Sequence, residues 1–209
     1  MNTLGHKLRV TVFGQSHAPA IGCVVEGLPA GFIPDMDRLA AFLARRAPGR
    51  TAWSTPRQES DAPEILSGLV EGRTCGAPVC AVIRNGDQRS RDYEGLRRTP
   101  RPSHADYTAW VKYGESYDIR GGGQFSGRRT APLCFAGALA LQLLEERGVT
   151  VAAHIGQIGG VYDEAPDFAA VDRETLKALL ARPFPVFRED AGVAMRQEIE
   201  RARMDADSV

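Results

Sequence analysis

The chain has 209 residues, 43% of them hydrophobic and 25% charged, with 26 basic residues balancing 26 acidic ones. That is the make-up of an ordinary globular protein, and zero net charge excludes a generic nucleic-acid binder. No uncharged run approaches the ~18 residues of a membrane span, and the four cysteines form no CxxC pair, so the expectation is a reduced, cytoplasmic protein without structural zinc.

In chain order, Lys7–Phe13 alternates and predicts a strand, followed by a polar loop carrying Ser16 and His17 and a second strand over Ile21–Glu26. Asp35 then caps a helix marked by Met36, Leu39, Ala40 and Leu43, which stops at "RRAPGR". Residues 51–63 read as loop. Glu64–Leu69 and Pro78–Arg84 read as paired strands, with Gly68, Gly72 and Gly76 in the turns. The long polar segment that follows has no hydrophobic period, and a helix begins near His104 or Ala105 and runs to Lys112. Thr130–Arg147 predicts a helix that buries Leu133, Ala136, Gly137, Ala140, Leu143 and Leu144. Val149–Ile158 predicts a strand carrying His154, and Asp172–Ala181 and Glu189–Met204 predict surface helices. Cys23 and Cys134 sit in apolar stretches and read as buried.

The candidate chemistry lies between these elements. "DIRGGGQFSGRRTAP" (118–132) places three glycines just before a helix, with Ser126, Arg128 and Thr130 close by. It fails the P-loop pattern, because Arg128–Arg129 replace Lys and a hydroxyl residue. It fails the dinucleotide pattern, because Ser126 stands at the sixth position. What remains is an anion site made from free N–H groups at a helix start plus side-chain donors, or else a glycine hinge with an ordinary cap. Lysine occurs only three times, and arginines cluster at 45, 46, 50 and 57, at 97, 98 and 101, and at 120, 128 and 129. Their planar forks suit phosphate and carboxylate, and Glu59 and Asp61 are placed to hold those at 45, 46, 50 and 57, unless that segment is simply a solvated charged loop. His17 and His104 both lie in Gly/Pro/Ser loops near these clusters, where a group titrating near neutrality can move a proton.

Six stretches carry a resemblance: "FGQSHAPAIGCVVEGLPAG", "LARRAPGR", "TPRQESDAPEILSGLVEGRTCGAPV", "IRNGDQRSRDY", "RPSHADYTAWVKYG" and "RGGGQFSGRRTAPLCFAGALA". Together, in this order, they resemble the chorismate synthase family. The resemblance implies an α/β sandwich of α+β type, built of sheets and helices and incomplete at the C-terminus. Residues 1–209 would form the N-terminal part of a single domain. It also implies a cytoplasmic homotetramer that converts 5-enolpyruvylshikimate-3-phosphate to chorismate in the shikimate pathway, using reduced FMN (FMNH2). An external flavin reductase is a possible supplier of that flavin.

By the same resemblance His17 matches a histidine that protonates reduced flavin, and His104 one beside the leaving phosphate. Arg46 and Arg57 look like substrate arginines, with Arg101 and Arg128 expected to join them. Gln124, Phe125 and Ser126 align with a flavin-contacting stretch. Ala18 and Ser103 stand where the family habitually has glycine, and Ala52 where it often has a basic residue. A side chain at Ala18 or Ser103 is strained if the backbone there has positive φ. The alternative is an inactive fragment, or a remnant that binds flavin or a phosphorylated metabolite.

Overall fold

The computed structural model describes residues 2–49, 59–86, 93, 95–96, 99–164, 166–167 and 169–209. Arg50, Ala52, Arg57, Arg97 and Arg98 lie outside the described residues, as does most of the predicted loop over 51–63. The described residues separate into two compact units between Gln142 and Leu143.

The first unit is built on a five-stranded antiparallel sheet. Its strands are β1 (Thr3–Leu4), β2 (Arg9–Gly14), β3 (Ala20–Glu26) and β4 (Pro63–Ser67). A small ladder of β5 (Leu69–Val70) and β6 (Arg73–Thr74) leads to β7 (Val79–Arg84), and the sheet order is β1-β2-β3-β7-β4. The first two predicted strands are therefore neighbours, and β7 flanks β3 with Ala20 opposite Arg84. That register brings the β2–β3 loop, which holds His17, beside the residue that follows β7.

Helix α1 (Met36–Arg46) starts where Asp35 accepts a hydrogen bond from Arg38 N at 3.0 Å, and of the predicted stripe it buries Leu39 and Leu43 while Met36 and Ala40 are exposed. The carboxamide of Gln142 grips the backbone of Asp35: Asp35 N donates to Oε1 at 2.7 Å, and Nε2 donates to Asp35 O at 3.0 Å. Helix α2 (Asp106–Tyr113) and helix α3 (Thr130–Glu146) flank the glycine-rich segment.

In α3 the buried face differs from the predicted one. Ala131, Pro132, Phe135, Ala136, Ala138, Leu139 and Gln142 are inside, whereas Leu133 is 42% exposed. The helix is apolar nearly all round, so its sequence lacks the polar stripe that would set the phase. Ala131 packs with Ile21 and Ile83 of the sheet. Cys23 is buried on β3, and burial pushes its thiol up to about 12, while Cys134 is only partly buried.

In the second unit the predicted strand over Val149–Ile158 reduces to β8 (Gln157–Ile158), paired with β9 (Val161–Tyr162). Apolar alternation alone does not make a strand. Before Gln157, Ile155 N bonds to Pro185 O at 2.8 Å in place of a regular ladder. His154 accordingly sits outside regular structure, with Nδ1 at 3.2 Å from the Asp163 carboxylate. Helix α4 (Arg173–Ala181) is capped by Asp172, and α5 (Glu189–Met204) buries Ala191, Gly192, Met195 and Ala202. Phe184, Val186 and Met195 form this unit's core.

Candidate functional site

The three glycines of 121–123 all have positive φ, at 58°, 82° and 54°, inside a 3-10 segment over Arg120–Phe125. All three are shaped by what lies against them, Gly123 by the backbone oxygen of Asp118 and the other two by side chains. A Cβ on Gly121 would stand 2.4 Å from the His17 ring and 2.6 Å from Ser16 Oγ. A Cβ on Gly122 would stand 2.9 Å from Cε1 of His104 and 3.0 Å from its Nε2. Consecutive residues of one backbone segment therefore seat the two histidines that lie 87 residues apart in sequence (104 − 17). Only glycine combines this backbone with so close an approach.

The seat is itself fixed. Arg129 donates to Gln124 O at 2.6 Å and to Val12 O at 2.8 Å, tying the segment to β2. Ser16 N donates to Gly123 O at 3.2 Å, and the Tyr117 hydroxyl donates to Gly122 O at 3.3 Å.

The His104 side is held by charge. Its Nδ1 lies 2.8 Å from Asp106 Oδ1 and 3.4 Å from Arg101 Nη2. The carboxylate is the closer partner and accepts only, so Nδ1 carries the proton and Nε2 is left to exchange one beside Gly122. Asp106 is buried and accepts from Arg101 N at 3.1 Å, Nε at 2.8 Å and Nη2 at 2.9 Å. These bonds, Arg101 foremost, hold its carboxyl down at about 2. Tyr117 reaches the same carboxylate at 3.5 Å, and burial first, then Asp106, pushes its hydroxyl up.

The His17 side is held through main chain. His17 is buried, and its ring meets Tyr93 edge-on at 5.1 Å; the Arg101 guanidinium lies 5.8 Å from the same Tyr93 ring. Asn85 Nδ2 donates to Gln15 O at 3.1 Å and Ala18 O at 2.7 Å, on either side of His17. Asn85 Oδ1 accepts from Arg128 Nε at 3.0 Å. Arg128 also donates through Nη1 to Asp61, whose other oxygen accepts from Arg46 Nη1 at 2.6 Å. Glu59 stands 3.7 Å from Arg128, and Arg46 adds Thr130 Oγ1 at 3.1 Å.

Arg46 and Arg128 thus share the fully buried Asp61, which the sequence reading placed beside Arg46 but not beside Arg128. Asp61 has φ of 52°, a backbone state uncommon for a residue with a side chain. Arg128 is 4% exposed and aims its guanidinium at protein acceptors, whereas the Arg46 side chain keeps 20% of its surface open.

The other predicted residues are near this centre. Ser126 Oγ accepts from Arg128 N at 3.2 Å, and Ser126 O accepts from Arg129 N at 3.1 Å. The first turn before α3 therefore uses protein groups for N–H donors that the sequence left free for an anion. Phe125 is 45% exposed and Gln124 is half-buried. Arg57 lies outside the described residues. Of the two departures from glycine, Ser103 has φ of 57°, whereas Ala18 is not among the positive-φ residues.

Sequence reasoning missed Asp106, Asn85, Tyr93 and Tyr117. Asp106 carried a signal, two positions after His104 and at the first turn of a predicted helix. Among the described residues no group of three His, Cys, Asp or Glu is placed to hold a metal ion, and no helix is long and apolar enough to cross a membrane.

Fold and site together define an α+β protein whose centre joins two histidine loops and buried arginine–carboxylate pairs on one glycine segment. The chorismate synthase family model matches residues 8–209. The chain is 40% identical over its whole length to the chorismate synthase of Lancefieldella parvula, covering 57% of that protein. It is 44% identical to that of Methanopyrus kandleri, covering 55% of it. A crystal structure of chorismate synthase superposes on 96% of this chain and 54% of its own, with a TM-score of 0.69 and 25% identity. The chain belongs to the chorismate synthase family, and it spans about half the length of the curated relatives it matches.

Proposed function

We propose that this chain contributes the two-histidine part of a chorismate synthase site, acting on 5-enolpyruvylshikimate-3-phosphate to give chorismate and phosphate. In that 1,4-anti elimination a C–O bond to phosphate and a C–H bond at C6 break, one double bond forms, and no net oxidation occurs. The observation that carries the reading is the pairing of His17 and His104 on Gly121 and Gly122 in a chain of this family.

His104 serves the leaving phosphate. Asp106 fixes its Nδ1 proton, so Nε2 is the atom that gives or takes a proton as negative charge builds on the departing oxygen. Arg101 turns most of its donors to Asp106 but keeps 31% of its side chain exposed, and with Arg46 it offers guanidinium edges to substrate oxygens. Arg57 is assigned to the substrate with them by resemblance. Arg128, being buried and neutralised, acts as a support.

The residues at the glycine segment fit reduced FMN. Phe125 presents an exposed aromatic face, Gln124 lies next to it, and the Ser126 hydroxyl can donate while its oxygen accepts from Arg128 N. When bound, the flavin would supply electron density and a proton acceptor to the eliminating system. His17, buried within the segment's curve, holds or releases a proton on that side. Asp118, on the same side, is held below the usual carboxylate range chiefly by its hydrogen bonds with Arg120. A homotetrameric, cytoplasmic enzyme supplied with FMNH2 by a separate reductase is part of the same proposal.

The test is an anaerobic assay of the product of the complete natural gene, with enolpyruvylshikimate phosphate and chemically reduced FMN. Chorismate and phosphate are expected to appear in equal amounts. A folded, flavin-binding protein that forms no chorismate would instead support a non-catalytic, flavin-binding remnant.

A further inference from the structure

We infer that Asn85 is the positioning residue of the His17 loop and transmits the buried Asp61–Arg128 pair to that histidine. The inference rests on the proposed role of His17 for its catalytic consequence, but not for its structural one.

The sheet places Asn85 for this task. Residues 15–19 join β2 to β3, and β7 lies along β3 with Arg84 opposite Ala20, so the next residue, Asn85, emerges beside that loop. Its own N–H donates to Pro19 O at 3.1 Å, which locks it against the loop's end. Its carboxamide then has two hydrogens on nitrogen, directed at Gln15 O at 3.1 Å and Ala18 O at 2.7 Å. Pinning the carbonyls on both sides of His17 fixes the direction of its Cα–Cβ bond.

The chemistry leaves one orientation for the amide. A guanidinium has only donors, so Asn85 Oδ1 must face Arg128 Nε, at 3.0 Å. The two loop carbonyls are only acceptors, so Nδ2 must face them. A flipped amide would oppose oxygen to oxygen and nitrogen to guanidinium. Arg128 is in turn held by Asp61, which leaves it little freedom to follow a moving loop. A charged, buried pair thereby sets the angle of a neutral clamp, and the clamp sets the histidine. Aspartate at this position keeps the acceptor for Arg128 but loses both donors to the loop. Alanine loses everything.

The experiment is NMR of the four histidine rings and two asparagine side chains of the chain, without substrate or flavin. In the wild type the Asn85 amide protons are expected to exchange more slowly than those of Asn2, the chain's other asparagine. In Asn85→Asp and Asn85→Ala the His17 ring signals should move, while those of His104, seated through Asp106, stay in place. Arg128→Lys should displace His17 in the same direction and by less, because the lysine ammonium still pairs with Asp61 but offers Asn85 no Nε–H. In the enzyme from the complete gene, Asn85→Asp is expected to lower kcat about 10²-fold, the scale of a ~1 Å misplacement, with a smaller change in KM.

Unchanged His17 signals in both Asn85 variants would overturn the inference. So would amide protons of Asn85 that exchange as fast as those of Asn2, a wild-type measurement that stands even if the variants fail to fold. Loss of catalysis in the wild type would count against the proposed function and leave these ring and amide signals as they are.

Discussion

The two histidine loops sit on adjacent glycines yet are held by opposite means. His17 is buried and is fixed through main-chain carbonyls by a neutral amide, with the buried charges one residue further away. His104 is half-buried and is fixed through its own ring by a carboxylate that Arg101 keeps ionised. The first arrangement places a ring and leaves its proton to the surroundings. The second also selects the tautomer. The proposed reaction, with one proton carrier near a flavin and another near a departing phosphate, would use both.

The comparison breaks most readily at the glycines. Gly121→Ala adds a methyl 2.4 Å from the ring of the buried His17, at a φ of 58° that disfavours any side chain. A loss of about 2–4 kcal/mol is expected in chemical denaturation. Gly122→Ala meets His104 at 2.9 Å, but that side chain is 29% exposed and can turn outward, so a smaller loss of about 1–3 kcal/mol is expected. Equal losses would show that the two seats are not different in kind.

Asp106→Asn comes next. It keeps the shape, removes the charge that Arg101 and His104 share, and can present an N–H where an acceptor is needed. A loss of about 1–3 kcal/mol is expected, together with a fall in turnover of about 10²-fold or more in the complete enzyme. Wild-type turnover would dissociate Asp106 from the work of His104.

The same carboxylate gives a pH test. Its folded pKa lies below the unfolded value, so its stabilisation is fully present above about pH 4 and is lost as pH falls through about 2. Because Arg101 is 31% exposed and screened by water, the loss should be on the order of 1–2 kcal/mol, read from denaturant midpoints between pH 5 and pH 2. Asp106→Asn should flatten this part of the profile, and an unchanged acid limb would assign it to other carboxylates.

The smallest effects have opposite signs. Ser103 occupies the left-handed region beside His104, so Ser103→Gly should stabilise by about 0.5–1 kcal/mol. Ala18, beside His17, has an ordinary backbone, so Ala18→Gly should destabilise by about 0.5–1 kcal/mol through the unfolded chain.

Strands β2, β3, β4 and β7 and helices α1, α2, α4 and α5 were legible because their patterns are local, whereas the two-residue edge strand β1 was not. The burial phase of α3 was not, since a helix apolar on all sides has no contrast to read. The strand expected over Val149–Ile158 showed the reverse failure, a local pattern lacking a ladder partner along most of its length. Within the site, the histidines and arginines stood out by type and by neighbouring loop chemistry. Asn85 did not, because its meaning depends on β7 lying beside β3. Nor did the reason for three glycines, which lies in what approaches them.

The central claim is that Gly121 and Gly122 seat His17 and His104 side by side. Nuclear Overhauser contacts test it most directly. The account predicts one from the Gly121 Hα protons to the His17 ring and one from the Gly122 Hα protons to the Hε1 of His104. Absence of both, in a folded protein with assigned rings, would contradict it.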